Sequence, residues 1–221
     1  MFKKSLLCLF FSLSLMGLAQ AHDFWLKPEG SRAVLYYGHG NEDSPYKATC
    51  VKKSSGLSAS GQAVAVRLTT EGNHCAFSWE SGAVEIAAEI DTGYWIKTMQ
   101  GWKNQSKRNA GSYLLSEWSL YYTKLLLKPG ASLNRALGHQ LEIVPLQISD
   151  KSLKVRVLLH GKPLAETKIY AGHDKVGETD AAGEATVPKN GLLVLTVSIR
   201  EPLQNNQDAD RLKLNAVLTV P

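Results

Sequence analysis

Short runs of alternating apolar and polar residues, each closed by turn-forming residues, recur along this chain and constrain its fold more than any other feature. Ala33-Val34-Leu35-Tyr36-Tyr37 stops at Gly38, Ala63 to Leu68 stops at Glu71-Gly72-Asn73, and Ala83 to Ile90 stops at Asp91-Thr92-Gly93. Side chains of a strand point alternately to its two faces, so a period of two bounded by Gly, Asn and Asp predicts half-buried strands. Leu141-Glu142-Ile143-Val144 reads as another strand, which Pro145 ends or places at an edge. Beyond Ser149-Asp150-Lys151 the texture becomes more regular, with Leu153 to Leu159, Glu166 to Tyr170, Ala185 to Pro188, Gly191 to Val197 and Leu212 to Val220 separated by turn residues. Turn signals about every ten residues between short strands are the habit of an immunoglobulin-like sandwich. The expectation is an all-β protein: an N-terminal β-sandwich-like domain over residues 22–149, then a C-terminal immunoglobulin-like β-sandwich over 150–221. One continuous sandwich is the alternative. Only Ser112 to Leu127 admits a helix, and its aromatic and leucine content fits a long strand equally well.

The first residues set the compartment. Lys3 and Lys4 form a basic start, Leu6 to Leu18 an apolar run, and Ala19-Gln20-Ala21 a small-x-small cleavage signal. That order is the pattern of a secretory signal peptide, and the apolar run falls short of the ~20 residues of a membrane span. Residues 1–21 are therefore expected to be removed, leaving a periplasmic protein. The formal net charge of +5 then drops to +3 with the loss of Lys3 and Lys4. The remaining basic residues are dispersed, with Lys52-Lys53 and Lys103 to Arg108 the densest groups. Nucleic acid requires a concentrated basic stripe, so it is not an expected partner. Cys8 leaves with the signal segment, and Cys50 and Cys75 remain. Two cysteines in an oxidising compartment are expected to pair, stabilising the fold by roughly 3 kcal/mol in the chain-entropy view. The rival reading, two thiolate metal ligands, lacks the short Cys-x-x-Cys spacing of zinc sites.

Cleavage turns His22 into a chelator. A cut after Ala21 makes His22 the terminal residue, whose α-amine and imidazole can hold one ion together; a cut after Ala19 makes Gln20-Ala21-His22 a square-planar nitrogen site. Both suit Cu(II) or Ni(II). The pattern Gly-His-x-x-Glu occurs at Gly38-His39-Gly40-Asn41-Glu42 and again at Gly138-His139-Gln140-Leu141-Glu142. Imidazole and carboxylate are ordinary ligands for Zn, Ni or Co. The candidate metal ligands are thus His22, His39, His139, Glu42 and Glu142. In a regular strand His139 and Glu142 would face opposite ways unless a bulge intervenes. His74, His160 and His173 read as turn residues. Trp25, Tyr94, Trp95, Trp102 and Trp118 offer a stacking platform, against which core packing is the commoner use of such residues. No nucleophile elbow, His-Glu-x-x-His motif or phosphate-cradling glycine loop occurs, so the expectation is a binding protein and not an enzyme.

The opening His22-Asp23-Phe24-Trp25-Leu26-Lys27-Pro28 resembles that of a family of periplasmic proteins described as the periplasmic component of ABC-type nickel or cobalt uptake systems. The likeness continues through Gly38-His39, Tyr94-Trp95-Ile96-Lys97, Gly101-Trp102, Ser116-Glu117-Trp118, Gly138 to Pro145 and Thr179-Asp180-Ala181-Ala182-Gly183. The last of these turns is shared with many immunoglobulin-like and carboxypeptidase-regulatory-like domains. The resemblance implies an extracytoplasmic binder of Ni(II) or Co(II) that delivers the ion to a membrane transporter, with His22, His39 and Glu142 at the matching positions. Two other readings stand beside it. One is a non-catalytic immunoglobulin-like envelope interaction module, and the other a copper-dependent oxidase using a terminal-histidine brace.

Overall fold

The computed structural model describes residues 22–38, 43–128 and 133–221. The expected signal segment 1–21, together with His39 and Glu42, lies outside these described residues. Among the described residues seventeen strands follow one another: β1 (Asp23–Glu29), β2 (Arg32–Gly38), β3 (Val51–Ser58), β4 (Ala63–Val64), β5 (Val66–Glu71), β6 (His74–Trp79), β7 (Ala83–Thr98), β8 (Gly101–Lys103) and β9 (Leu115–Leu126) make the first part. The second comprises β10 (Leu141–Ile148), β11 (Ser152–Leu159), β12 (Lys162–Pro163), β13 (Lys168–Ala171), β14 (Asp174–Glu178), β15 (Glu184–Pro188), β16 (Leu193–Pro202) and β17 (Arg211–Val220). Among the described residues the only helical turns are two 3₁₀ turns, at Ala48–Cys50 and Lys107–Asn109. The protein is all-β, and the ambiguous segment at Ser112 to Leu127 forms β9.

A nine-stranded sheet in the order β14-β13-β16-β17-β9-β7-β3-β4, with β8 added to β7, is flanked by two four-stranded sheets. One is β1-β2-β6-β5; the other contains β10, β11, β12 and β15. The strand alternation explains why two cores form. Tyr121 and Leu125 of β9 pack with Phe24, Leu26, Leu35, Phe77, Ile86 and Ile90 beneath the β1-β2-β6-β5 sheet. Tyr122 and Leu126, one residue on, pack with Ile143, Val155, Leu195 and Leu214 beneath the other sheet. Successive side chains of β9 therefore serve separate cores on opposite faces.

The expected division at Ser149 does not coincide with a break between sheets. β10 and β11 form one antiparallel hairpin across it, with Leu141 opposite Leu159 and Ile148 opposite Leu153. β17 runs parallel to β9, from Arg211 beside Glu117 to Thr219 beside Leu125. A pairing between strands so distant in sequence cannot be read from local periodicity. The run Ala63 to Leu68 also divides, at Ala65: β4 pairs with β3 in the large sheet, whereas β5 pairs with β6 in the small one.

Because β9 and β17 share nine cross-strand pairs, the two halves should melt as one cooperative unit. Calorimetry of the protein is expected to give a single transition, and a fragment of residues 150–221 alone is expected to show none. A cooperative melt of that fragment would establish an independent C-terminal domain.

Candidate functional site

The strands do not bring the five candidate ligands together. His22 precedes β1 and shares the parity of Phe24 and Leu26, so its ring turns inward, 5.0 Å from the Tyr37 ring. The Tyr121 hydroxyl donates to the His22 carbonyl at 2.9 Å. His139 lies on the opposite side of β9, stacked on Tyr122 with ring centroids 5.0 Å apart. Since Tyr121 and Tyr122 point to opposite faces of the sheet, His22 and His139 belong to different sites.

Glu142 has a structural task. Its carboxylate accepts from the backbone N–H of Leu137 (2.7 Å), Gly138 (3.1 Å) and His139 (3.3 Å), and from Lys124 Nζ at 3.0 Å. Gly138, at φ +85°, permits the turn that folds these amides back over the carboxylate, so the facing problem expected within a regular strand does not arise. Lys124 Nζ also lies 3.2 Å from Glu85, whose oxygens receive no well-aligned hydrogen bond. All three side chains are almost fully buried. Burial raises the Glu142 pKa, but the Lys124 ammonium and the Leu137 amide outweigh it and hold the carboxyl below its usual range. Burial pushes Glu85 up and His139 down. With its carboxylate engaged in this way, Glu142 serves here as an internal counter-ion, and His139 is a buried, stacked ring. Among the described residues no group of three or more His, Cys, Asp or Glu side chains is arranged to hold a metal.

The expected Cys50–Cys75 bridge is not formed. Cys50 ends the 3₁₀ turn before β3, Cys75 sits in β6, and both are free thiols contributing to the same apolar core. Burial pushes Cys50 up to about 11 and raises Cys75 as well, so both act as small apolar fillers in the protonated form. Among the other histidines, His74 starts β6 and meets Asp43 at 2.8 Å, while His160, in a turn as expected, meets Glu201 at 2.9 Å.

The chemistry that sequence reasoning missed lies around His22. A cleft of about 330 Å³ opens where β1 begins, lined by His22, Tyr37, Trp95, Glu117, Lys213 and Arg200 among others. Its floor is the large sheet. Trp95 pairs with Glu117, Ser119 with Lys213, and Lys213 with Arg200, which places these groups on one face. A bulge in β7 makes this possible. The register shifts between Asp91 and Tyr94, where a turn was expected, and Gly93 takes φ +78°. Before the shift Ile86 and Ile90 face this side; after it the odd-numbered Trp95 does. Asp91 Oδ1 fixes the bulge by accepting from the Gly93 amide and Trp118 Nε1, both at 2.8 Å. Thr92 Oγ1 accepts from Trp95 Nε1 at 3.1 Å and donates to the Ser119 carbonyl at 3.1 Å. Of the five aromatics singled out in the sequence, Trp95 and Trp102 line the cleft. Trp25 stacks instead on Tyr36, and Tyr94 meets Trp118 at a tilt. A second depression, of about 380 Å³, shares Tyr37, Thr92 and Trp95 with the first.

Residues 19–200 match the family described as a domain of unknown function, DUF4198. The chain belongs to this family. It is 26% identical over 211 residues, 92% of this chain and 92% of the relative, to an uncharacterized protein of Haemophilus influenzae. No solved structure matches it. Neither description names a metal or a transporter, so for this DUF4198 chain the nickel and cobalt context rests on the resemblance of the opening residues.

Removing Lys124 would leave two buried carboxylates facing each other without a cation. Lys124→Met is expected to destabilise the protein by about 3–5 kcal/mol in denaturant unfolding. His139 gives a pH signature. Its folded pKa is depressed, first by burial, so the unfolded chain binds the proton more readily and stability falls as pH drops below its ordinary value of 6.5. His139→Phe keeps an aromatic ring on Tyr122 and is expected to flatten the melting temperature against pH between about 5 and 6.5.

Proposed function

We propose that this chain is an exported, non-catalytic binding protein that captures a transition-metal ion, Ni(II) or Co(II), through its mature N-terminus and presents it to a membrane importer. The observation that carries this reading is the setting of His22. It is the residue beside the expected cut after Ala21, it leads directly into β1, and its carbonyl is held by the Tyr121 hydroxyl. A terminal amine on such a residue is pre-positioned together with its imidazole, which reduces the ordering cost of chelation.

The ligand set is narrower than the sequence implied. Glu142 is engaged by Lys124 and backbone amides, and His139 lies on the far face of the sheet, so neither joins His22. His39 is the candidate second imidazole. It follows Gly38 in the sequence, and Gly38 is the cross-strand partner of Asp23. Amine plus two imidazoles is a nitrogen-rich set of the kind that suits Ni(II), Co(II) or Cu(II).

Periplasmic protein incubated with Ni(II) and analysed by native mass spectrometry is expected to retain one ion. His22→Ala should abolish retention, His39→Ala should weaken it at least tenfold, and His139→Phe should leave it unchanged. Because the ligands must be deprotonated, retention should decline as pH falls through the histidine range near ~6.5. Equal retention by wild type and His22→Ala overturns the metal reading and favours an envelope interaction module.

A further inference from the structure

The cleft beside His22 has a donor surplus that its own residues do not satisfy. Arg200 and Lys213 are direct cross-strand partners on one face of the large sheet. Like charges placed opposite each other in a sheet repel, and such local conflicts concentrate at functional sites. Glu117 relieves one of them, accepting from Arg200 Nε at 2.9 Å. Among the described residues Lys213 has no hydrogen-bond acceptor. Its ammonium lies 5.9 Å over the Tyr121 ring while the residue is only 6% exposed. Burial lowers its pKa, with Arg200 adding to the effect and Glu117 and Asp23 opposing it.

Two carboxylates face these donors: Glu117, which Arg200 already holds, and Asp23, which takes a bond from the Thr196 hydroxyl at 3.3 Å; neither hydrogen-bonds Lys213. The Ser119 hydroxyl takes a long bond from Asn215 Nδ2 at 3.5 Å, and the Thr92 hydroxyl is already engaged by Trp95 and the Ser119 carbonyl. The three ammonium hydrogens of Lys213 and the terminal hydrogens of the Arg200 guanidinium therefore remain for a ligand. Half-buried Trp95 and exposed Trp102 supply apolar surface in the same cleft. Its volume of about 330 Å³ matches a small molecule rather than a macromolecule.

We propose that this cleft binds a small organic anion, whose carboxylate is taken by Lys213 and Arg200 while its flat or apolar body lies against Trp95 and Trp102. The group bound is an oxygen-rich acceptor. A carboxylate matches the forked hydrogens of Arg200 and the point charge of Lys213 better than a neutral hydroxyl does. The inference goes beyond metal capture and does not depend on it, since neither Lys213 nor Arg200 is a candidate metal ligand.

The test is tryptophan fluorescence of the full exported protein, purified in excess chelator so that no metal contributes. It is titrated with benzoate, phenylacetate, succinate and citrate, with the corresponding neutral amides, and with inorganic phosphate. At least one carboxylate is expected to quench saturably in the millimolar range or below, its amide at least tenfold more weakly, with a matching rise in melting temperature. Lys213→Met should weaken that carboxylate at least tenfold, and Trp95→Ala should reduce the quench. Arg200→Gln, at a more exposed position, serves if Lys213→Met fails to fold by circular dichroism. Saturation by amide and carboxylate alike, unchanged affinity in a folded Lys213→Met or Arg200→Gln protein, or saturation by none of the carboxylates overturns the proposal. Stronger binding of phosphate than of every carboxylate also overturns it, by reassigning the site to an inorganic anion. Nickel retention is measured separately without chelator, so failure of one reading leaves the other standing.

Discussion

The parallel pairing of β9 with β17 is the constraint on which the rest of the molecule depends. It joins a strand from the middle of the chain and the last strand into one sheet, and the two faces of β9 then have to satisfy two cores. Tyr121 and Leu125 close one, Tyr122 and Leu126 the other, so neither core can form around β9 without the flanking sheet that covers it. Parallel partners so far apart in sequence carry a loop-closure cost that local contacts cannot offset early in folding. The arrangement therefore favours late, concerted assembly over sequential docking of finished domains.

From that sheet the separation of polar groups follows. On one face, Lys124 is enclosed with Glu85 and Glu142, and three successive amides wrap the Glu142 carboxylate. Burying these charges is tolerable only because Lys124 sits between the two carboxylates and Glu142 is also hydrogen-bonded by the backbone. On the other face, the small sheet ends at His22 and Tyr37 while the large sheet continues beyond it. The uncovered floor, carrying Glu117, Ser119, Lys213 and Arg200, becomes a cleft. The structural polar cluster and the candidate binding site are thus back to back on the same strands, and parity alone decides which residue serves which.

Parity also explains what the sequence made legible. Period-two runs gave the all-β class and most strand positions, because Leu, Val and Ile alternate with polar residues wherever one face is buried. What local pattern does not contain is the register between distant strands. Asp91-Thr92-Gly93 has the composition of a turn, and the same residues make a bulge just as readily; only the partner strand β9 decides between them. Lys213 and Arg200 sit in runs where a polar or charged residue follows an apolar one, the ordinary look of a solvent-facing edge. Their meeting depends on the β16–β17 register, and the burial of Lys213 on β9 lying beside it. The repeated Gly-His-x-x-Glu pattern suggested one shared site, yet its second copy is consumed by an internal ion pair and a ring stack.

The bulge in β7 links fold to site more directly than any other local feature. One extra residue between Ile90 and Trp95 reverses which side chains face the cleft, and Asp91 holds that geometry through the Gly93 amide and the Trp118 indole. Without it Trp95 would turn toward the opposite face, Thr92 would lose its bridge between the indole and the Ser119 carbonyl, and the floor beside Glu117 would lack its aromatic neighbour. The segments around Tyr94-Trp95, Gly101-Trp102 and Ser116-Glu117, scattered in sequence, meet because this one irregularity lets three strands present them to a common space. The placement of His22 at the mouth of that space then follows from β1 pairing with β2 and from the Tyr121 hydroxyl reaching its carbonyl. His22, anchored in this way, is held over the cleft by the same strand that supplies the cleft's floor.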